Sequence, residues 1–584
     1  MGNRYLNSKT LQPLTLRYIG TLPPSSNDVG DQIWLGVEYD DPSNGKGHNG
    51  IYKDVQVFQT LEEGSASFLK YNQGLNPLKR GNSLINSIED RYGEIRPKII
   101  PNIDNETQSQ SQITHENESV VLGSSENAII VQAPNLSSVR EKVGKLEKLR
   151  NIGFEEEHID SLGSDEETIE VLKQRMKGLK WLNLSKNLLS SWDQVLEIVD
   201  CFQGLEVLTL NHSRIRPIKI ELDVKEKEKY IRSFSKIKEL HLSNCLLSWD
   251  EVCSTTALFP NLEVLHVEAN KRLNKLFRRF DDLNNLKELT LGGCPISEWQ
   301  NIVSTLSNSP KLESLDLSFT SIRTIPSPSL TENDRKLDSL TTLTFLESSI
   351  SNWSDLDNLS QFALNLHNLR LSVRKTPIPQ DTNQEIASGQ TMEINQLLSV
   401  DDKSLRSICI AEFPNLTMFN SNPITPIERR DSELFYISFV KKRIANNDEK
   451  IESWSRYEEL CKLHNVSKEI NESNEIGKKP KSGLKGRMIK LKIHTEGSND
   501  IQEISILPSA RITLLQRKLT KLFGIPVNQF EQIQIWNTTL LDVEKPESGL
   551  EKVNKVTCPW EDKEVGWWFE SNDEIFVEFV SEDD

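Results

Sequence analysis

The stretch Leu179-Lys180-Trp181-Leu182-Asn183-Leu184-Ser185-Lys186-Asn187 sets apolar anchors at spacings of three and two and places an asparagine three residues beyond the last of them. The same frame returns as Leu205/Leu208/Leu210, Ile237/Leu240/Leu242, Leu262/Leu265/Val267, Leu286/Leu289/Leu291, Leu312/Leu315/Leu317, Leu340/Leu343/Phe345 and Leu366/Leu369/Leu371. Its central leucines lie 26, 32, 25, 24, 26, 28 and 26 residues apart. A unit of that size cannot bury its own apolar side, so a run of them predicts coils stacked into a solenoid with one short parallel strand each. The position three beyond the last anchor is Asn187, Cys245, Asn270 or Cys294 in four units, where the side chain is expected to bond the turn backbone. The 32-residue interval accommodates a charged insert around Lys225 to Lys229, an edge unit is expected at Leu416 to Ile424, and a helical cap is expected through Leu463.

This is the signature of a leucine-rich repeat. Four units also carry Ser191-Trp192, Ser248-Trp249, Ser297-Glu298-Trp299 and Ser351-Asn352-Trp353 after the strand. Each serine is expected to cap a helix and each tryptophan to open it and pack on the neighbouring coil. Residues alternating with the anchors face the concave sheet: Trp181, Asn183, Asn211, His212, Glu239, His241, His266, Glu268, Glu288, Asp316, Phe319, Glu347 and Arg370. Of these, Trp181, Glu239, His241, His266, Glu268, Asp316 and Phe319 are the candidate partner-binding residues. His241 and His266 hold equivalent positions, a spacing that suits a metal with Glu239 or Glu268, but the acidic row reads first as a solvated or partner-binding face, and no metal or other cofactor is expected.

With 584 residues the chain is long enough for several domains. Its charge of -17 offers no global field for nucleic acid or an anionic membrane. Seven cysteines without a CxxC pair argue against a disulfide framework or a cysteine zinc site. The N-terminus has no signal-peptide core and no apolar run long enough to span a bilayer, so a cytoplasmic, cytoskeleton-associated protein is expected. Residues 99–139 hold no Lys or Arg, five acids and the polar run Gln108 to Gln112, and read as a disordered acidic linker. A chain of about 40 such residues spans roughly 35 Å, enough to tether an N-terminal block to the array. Residues 466–486, with Lys478, Lys479, Lys481 and Lys485, read as a basic linker. The divisions are thus 1–98, 99–139, 140–465 for the array and its cap, 466–486, and 487–584.

In the first block Gly45-Lys46-Gly47-His48-Asn49-Gly50 matches a dinucleotide fingerprint in spacing, but a turn precedes it and a strand-like Ile51 to Phe58 follows. With Arg17-Tyr18-Ile19-Gly20 and Trp34-Leu35-Gly36-Val37-Glu38-Tyr39-Asp40-Asp41-Pro42, the block resembles a CAP-Gly domain, a small antiparallel β module. The resemblance implies a groove for an acidic, aromatic-ending tail such as that of α-tubulin. In it Trp34 and Phe68 would wall the terminal ring, Lys46 and Lys70 would meet carboxylates, and His48 or Asn49 would hydrogen-bond the chain end. The loop is one residue longer than the family's, which leaves the last role open between those two.

From Met488 onward, Ile489 to Ile493 and Ile501 to Leu507 read as strands, Leu514 to Phe523 as a helix, and Gln532 to Trp536 and Ile575 to Val580 as further strands. That order resembles a ubiquitin-like β-grasp domain. The whole sequence, with CAP-Gly, leucine-rich and ubiquitin-like parts in this order, resembles the tubulin-folding cofactor E family. The resemblance implies a non-enzymatic chaperone that binds α-tubulin and takes part in assembly and dissociation of the tubulin heterodimer with cofactors C and D and a small GTPase. Rival readings are a CAP-Gly adaptor at microtubule ends and a ubiquitin-system adaptor that binds the proteasome. The His and Cys residues form no nucleophile or metal spacing along the chain, so no catalytic residue is assigned.

Overall fold

The computed structural model describes residues 2–23, 32–72, 76–96, 119–122, 129–132, 146–218, 222–276, 284–307, 309–328, 336–375, 395–445, 454–466, 488–495, 498–524, 533–539, 551–555, 563–569 and 573–579. They fall into two compact units, residues 1–470 and 471–584. No helix among them is long and apolar enough to cross a membrane.

The repeat frame becomes one parallel sheet. Leu182, Leu208, Leu240, Leu265, Leu289, Leu315, Leu343 and Leu369 are successive register partners, each fully buried. The sheet extends one strand earlier than Trp181–Asn183, to Asn151–Gly153, and later to Met418–Phe419, where Asn422–Pro423 closes it antiparallel. After each strand the chain turns through the left-handed region, at Lys186 (φ 55°), His212 (58°), Asn244 (55°), Ala269 (53°), Gly293 (70°), Phe319 (59°) and Glu347 (50°). The turn lets each of the first six of these N–H groups reach the next coil: Lys186 to Asn211 O, 2.9 Å; His212 to Ser243 O, 2.8 Å; Asn244 to Glu268 O, 2.8 Å; Ala269 to Gly292 O, 2.8 Å; Gly293 to Ser318 O, 2.7 Å; Phe319 to Leu346 O, 2.9 Å.

The buried turn position works as expected. Asn187 accepts from Ile159 N at 2.8 Å and donates to Phe154 O at 2.7 Å, while Asn270 accepts from Cys245 N at 2.9 Å and donates to Leu242 O at 3.0 Å. Cys245 and Cys294 donate through Sγ to Leu210 O and Val267 O, both at 3.3 Å. Burial pushes the Cys245 thiol up to about 11 and that of Cys294 to about 12, which leaves them inert.

Trp192, Trp249, Trp299 and Trp353 each open a helix and are buried. Trp192 meets Phe234 and Phe259 edge-on at 6.2 and 6.1 Å, and Trp299 lies 5.7 Å from Phe362. Ser191 and Ser248 are the caps of their helices, but the caps of the other two are Glu298 and Asn352 rather than Ser297 and Ser351. In those units the extra residue before the tryptophan takes the extended cap conformation. The charged insert is itself helical, Val224–Phe234, with Tyr230 and Phe234 buried. At the far end, Asp357 Oδ1 accepts from Ser455 N at 2.8 Å and Ser455 Oγ at 2.7 Å, which stitches the helical cap to the last coils.

The first division of the chain is corrected by the packing. The small module is a sheet in the order Ala66–Lys70, Trp34–Tyr39, Pro13–Gly20, Arg4–Asn7, Leu78–Lys79 over Leu14, Leu16, Leu35, Val37 and Tyr39. Residues 82–95, read as part of it, belong to the array. Asn82–Ser83 pairs parallel with Ile159–Ser161, and the helix Leu84–Tyr92 sends Leu84, Ile85 and Ile88, with Ile95 beyond it, into the array core. Aliphatic residues at this end have no preceding coil to cover them, and this helix supplies the cover. Only Arg80 and Gly81 therefore separate the module from the array, not a 40-residue tether. Gly81 N donates to Asp160 Oδ2 at 2.9 Å, and a Cβ there would stand 2.0 Å from His158 O. The stretch read as a disordered linker carries a ladder, Ser119–Leu122 with Ile129–Gln132, whose Val and Ile content suits strands, and its other residues lie outside the described ones. The basic linker lies outside them too, apart from Val466, which bonds Cys461 O.

The second unit is a mixed sheet in the order Ser498–Ile506, Ile489–Thr495, Glu574–Phe579, Ile533–Thr539, Glu551–Lys555, with the helix Ile512–Phe523 packed on it and ended by Gly524 at φ 71°. Ile489–Thr495 and Glu574–Phe579 run parallel, and Leu491, Ile493, Leu515, Leu519, Ile535 and Val577 fill the core.

Trp249→Ala and Trp299→Ala should each lower array stability by roughly 3–5 kcal/mol, since a large buried ring is lost where coils support only their neighbours. Denaturant unfolding checks this, and wild-type stability in both would place the rings outside the core. Deleting residues 1–79 should leave the array's melting transition nearly intact, whereas deleting 1–98 should lower it clearly, because each aliphatic residue of the cap helix is worth roughly 1.5–3 kcal/mol. Calorimetric melts of the two truncations that coincide would refute the cap assignment.

Candidate functional site

The groove of the small module grows from two paired strands. Trp34 partners Lys70 and Gly36 partners Phe68, so these residues lie on one face of the sheet. Gly36 has no side chain to obstruct that face, and the Phe58 ring takes the space: a Cβ on Gly36 would meet it at 2.4 Å. Phe58 and Tyr52 meet Phe68 edge-on at 5.5 and 5.8 Å, and His48 stacks on it at 5.4 Å.

The glycine loop is what carries His48 there. Lys46 N bonds Ala66 O at 2.8 Å, Gly47 N bonds Gly64 O at 3.2 Å and Ala66 N bonds His48 O at 3.1 Å, so the loop runs as a partner to the start of the Ala66–Lys70 strand. At Gly45 a Cβ would stand 2.1 Å from Gly64 O, which explains a glycine there. The loop leaves Lys46 exposed, and Lys70 is exposed at the strand end. Asn49 is turned away: its Oδ1 accepts from Gly64 N at 2.7 Å. His48 is thus the member of the pair that joins the aromatic cluster. Partial burial depresses its pKa below 6.5, and its Nδ1 accepts from Gly50 N at 3.1 Å. Tyr52 and Phe58 were not among the expected groove residues. An alternating strand places them on no particular face until the hairpin Ile51–Gln56 is folded over the sheet.

Glu38, buried two residues beyond Gly36 on the same strand, accepts from Leu61 N at 2.7 Å, Glu62 N at 3.1 Å and Arg17 Nε at 2.7 Å, and so fixes the loop that touches the array. Glu62 on that loop pairs with Lys271, and Arg214 stands 4.0 Å away.

On the concave sheet the candidates divide. Glu239, His241 and His266 converge: His241 Nε2 lies 2.7 Å from Glu239 Oε1, His266 Nε2 lies 3.9 Å from it, and the two imidazoles stack at 4.3 Å. Among the described residues this is the group with metal-ligand spacing. Glu268, two residues after His266, accepts from Ser243 Oγ at 3.3 Å. Trp181 lies two strands from Glu239 in the same row and donates to Thr209 Oγ1 at 3.1 Å. Asp316 is two strands from His266, its Oδ1 taken by Ser318 N at 2.7 Å. Phe319 is not on the strand rows at all. It occupies a left-handed turn on the sheet edge, 56% exposed, because the frame ends before it.

These features define a class: a small β module with an aromatic groove flanked by lysines, fixed to a leucine-rich array. Residues 1–74 match the CAP-Gly domain family. Over longer spans the chain is similar to proteins named tubulin-specific chaperone E. The Bos taurus protein is 25% identical over 536 residues, 88% of this chain and 89% of its own, and the Xenopus laevis protein is 25% identical over 423 residues, 72% and 69%. An Arabidopsis thaliana protein named tubulin-folding cofactor E is 25% identical over 474 residues, 80% and 78%. The resemblance to the tubulin-folding cofactor E family is thus borne out by relatives in animals and a plant. Among solved structures, an internalin of Listeria monocytogenes covers 53% of this chain and 74% of its own at 18% identity and a TM-score of 0.27, a likeness too slight to bear on the fold.

His48 should titrate below 6.5, and Phe68→Ala, which opens the ring to water, should move the midpoint back up. Because the folded value is the lower one, His48 favours the fold at neutral pH and loses that preference as pH falls through its folded value. Histidine NMR titration of wild type and variant checks both, and an unshifted His48 in wild type would contradict the stacked placement.

Proposed function

We propose that this chain is a non-enzymatic tubulin chaperone whose groove holds the acidic, aromatic-ended tail of α-tubulin while the concave array faces the tubulin body. The observation that carries this reading is the extent of the likeness: the Bos taurus tubulin-specific chaperone E is similar over 88% of this chain and 89% of its own. The groove chemistry supports it. In a chain of net charge -17, Lys46 and Lys70 are local cations beside an aromatic cluster, the pairing that reads a ring next to carboxylates.

In this reading Trp34 and Phe68 flank the tail's last ring, Lys46 and Lys70 meet its acids, and His48 rather than Asn49 offers the hydrogen bond at the chain end. Participation in assembly and dissociation of the heterodimer, with cofactors C and D and a small GTPase, follows from the same family likeness, as does residence in the cytoplasm and on the cytoskeleton. The C-terminal unit fits a ubiquitin-like β-grasp: its first and last described strands lie parallel within a five-stranded mixed sheet that carries the helix Ile512–Phe523. We assign it as a docking unit, with the proteasome as a partner to test.

Lys46→Ala should weaken binding of an α-tubulin tail peptide roughly 2- to 5-fold, as befits an exposed charge pair. Removing the peptide's terminal aromatic should cost roughly tenfold or more. Only the lysine contribution should fade with salt. Fluorescence titration of the two peptides against wild type and variant decides this, and equal affinity with and without the terminal ring would remove the groove's assigned role. Preference for polymer over free dimer in co-sedimentation would favour the microtubule-end adaptor.

A further inference from the structure

We propose that Glu239, His241 and His266 form a Zn²⁺ site opening onto the concave sheet, its remaining coordination completed by water or by a side chain of a bound partner. The placement is set by the backbone. His241 and His266 are direct register partners on neighbouring parallel strands, and Glu239 precedes His241 by two residues on the same face. Their ligand atoms all lie within 4.8 Å of one another. Tetrahedral ligands at zinc distances of about 2.0–2.2 Å stand roughly 3.3–3.5 Å apart. The observed separations of 2.7 Å and 3.9 Å from Glu239 Oε1 bracket that value, so small side-chain rotations on a stationary sheet suffice.

Two further features single out the trio from an ordinary surface cluster. His266 Nδ1 is tied to Thr290 Oγ1 at 2.9 Å, which orients the ring and turns Nε2 toward Glu239, the supporting contact that metal-binding imidazoles generally have. The groups are also partly withdrawn from water, with side-chain exposures of 34% for Glu239, 23% for His241 and 19% for His266. Glu239, Glu268 and Glu288 are the carboxylates whose charges act on His266. Three protein ligands facing an open channel leave coordination positions toward the solvent side, the arrangement of an exchangeable rather than a closed structural site.

The test is calorimetric titration of the EDTA-stripped, dialysed full-length chain with zinc chloride at neutral pH. Wild type should take up one equivalent. His241→Asn and His266→Asn should each weaken uptake by about tenfold or more, Thr290→Val should weaken it less, and His367→Asn, elsewhere on the array, should leave it unchanged. Failure of wild type to bind, or binding indifferent to both histidine substitutions, overturns the proposal. A second measurement needs no variant: zinc should slow carbethoxylation of His241 and His266 in the wild-type protein, mapped by mass spectrometry, relative to His367. Equal labelling with and without zinc would also overturn it.

Discussion

The left-handed turn that follows the strands is the constraint on which the array depends. It swings the chain off the sheet toward the outer helices while presenting an N–H to the next coil's carbonyl. Of the seven residues at these turns only Gly293 is glycine, and the rest adopt a conformation that costs an L-residue of order 1 kcal/mol or more. The cost is offset by burial: the anchor leucines are removed from water completely, and the asparagine or cysteine just after the turn satisfies the carbonyls left inside. Each coil is therefore held in a strained shape by the coil beside it, which is why both ends need covers.

Much of this was legible because period and burial coincide. Anchors three and two residues apart face the core in every register pair, so the sheet from Trp181 to Val373 could be counted in advance. What escaped was whatever a neighbour in space decides. The coil at Asn151–Gly153 is the exception, since Leu149, Ile152 and Phe154 repeat the frame and were legible in the sequence. The helix Leu84–Tyr92 looks like any short amphipathic segment, and only the bare end of the array determines where it packs. In the groove, Trp34, Phe68 and Lys70 share a face by strand parity, whereas the choice between His48 and Asn49 turned on a hydrogen bond to Gly64 across fifteen residues. Phe319 lies three residues past the end of its strand at Asp316, in the left-handed turn, so strand alternation does not carry the concave face to it.

Charge is distributed with the same regularity. Just before the strands, Lys180, Glu206, Lys238, Glu263 and Lys287 alternate in sign, with Lys180 and Lys238 both on Glu206 and Lys287 on Glu263. Such exposed pairs add little stability individually, but alternation prevents like charges from stacking at each repeat. On the concave side, Glu239, Glu268 and Glu288 gather around His266.

The connection through Arg80 and Gly81 has a mechanical consequence. Gly81 lies so close to His158 O that no side chain fits, and its N–H is anchored on Asp160, while the Glu62 contact with Lys271 holds the module at a second point. Gly2 packs on the Arg216 side chain as well, and a body gripped at several points transmits torque as well as tension. In the proposed role, a tail pulled from the groove would load the array both at its capped end, through Arg80 and Gly81, and at the coil of Lys271, so that the work of extracting it is delivered to the stack of coils instead of being dissipated in a loose strap.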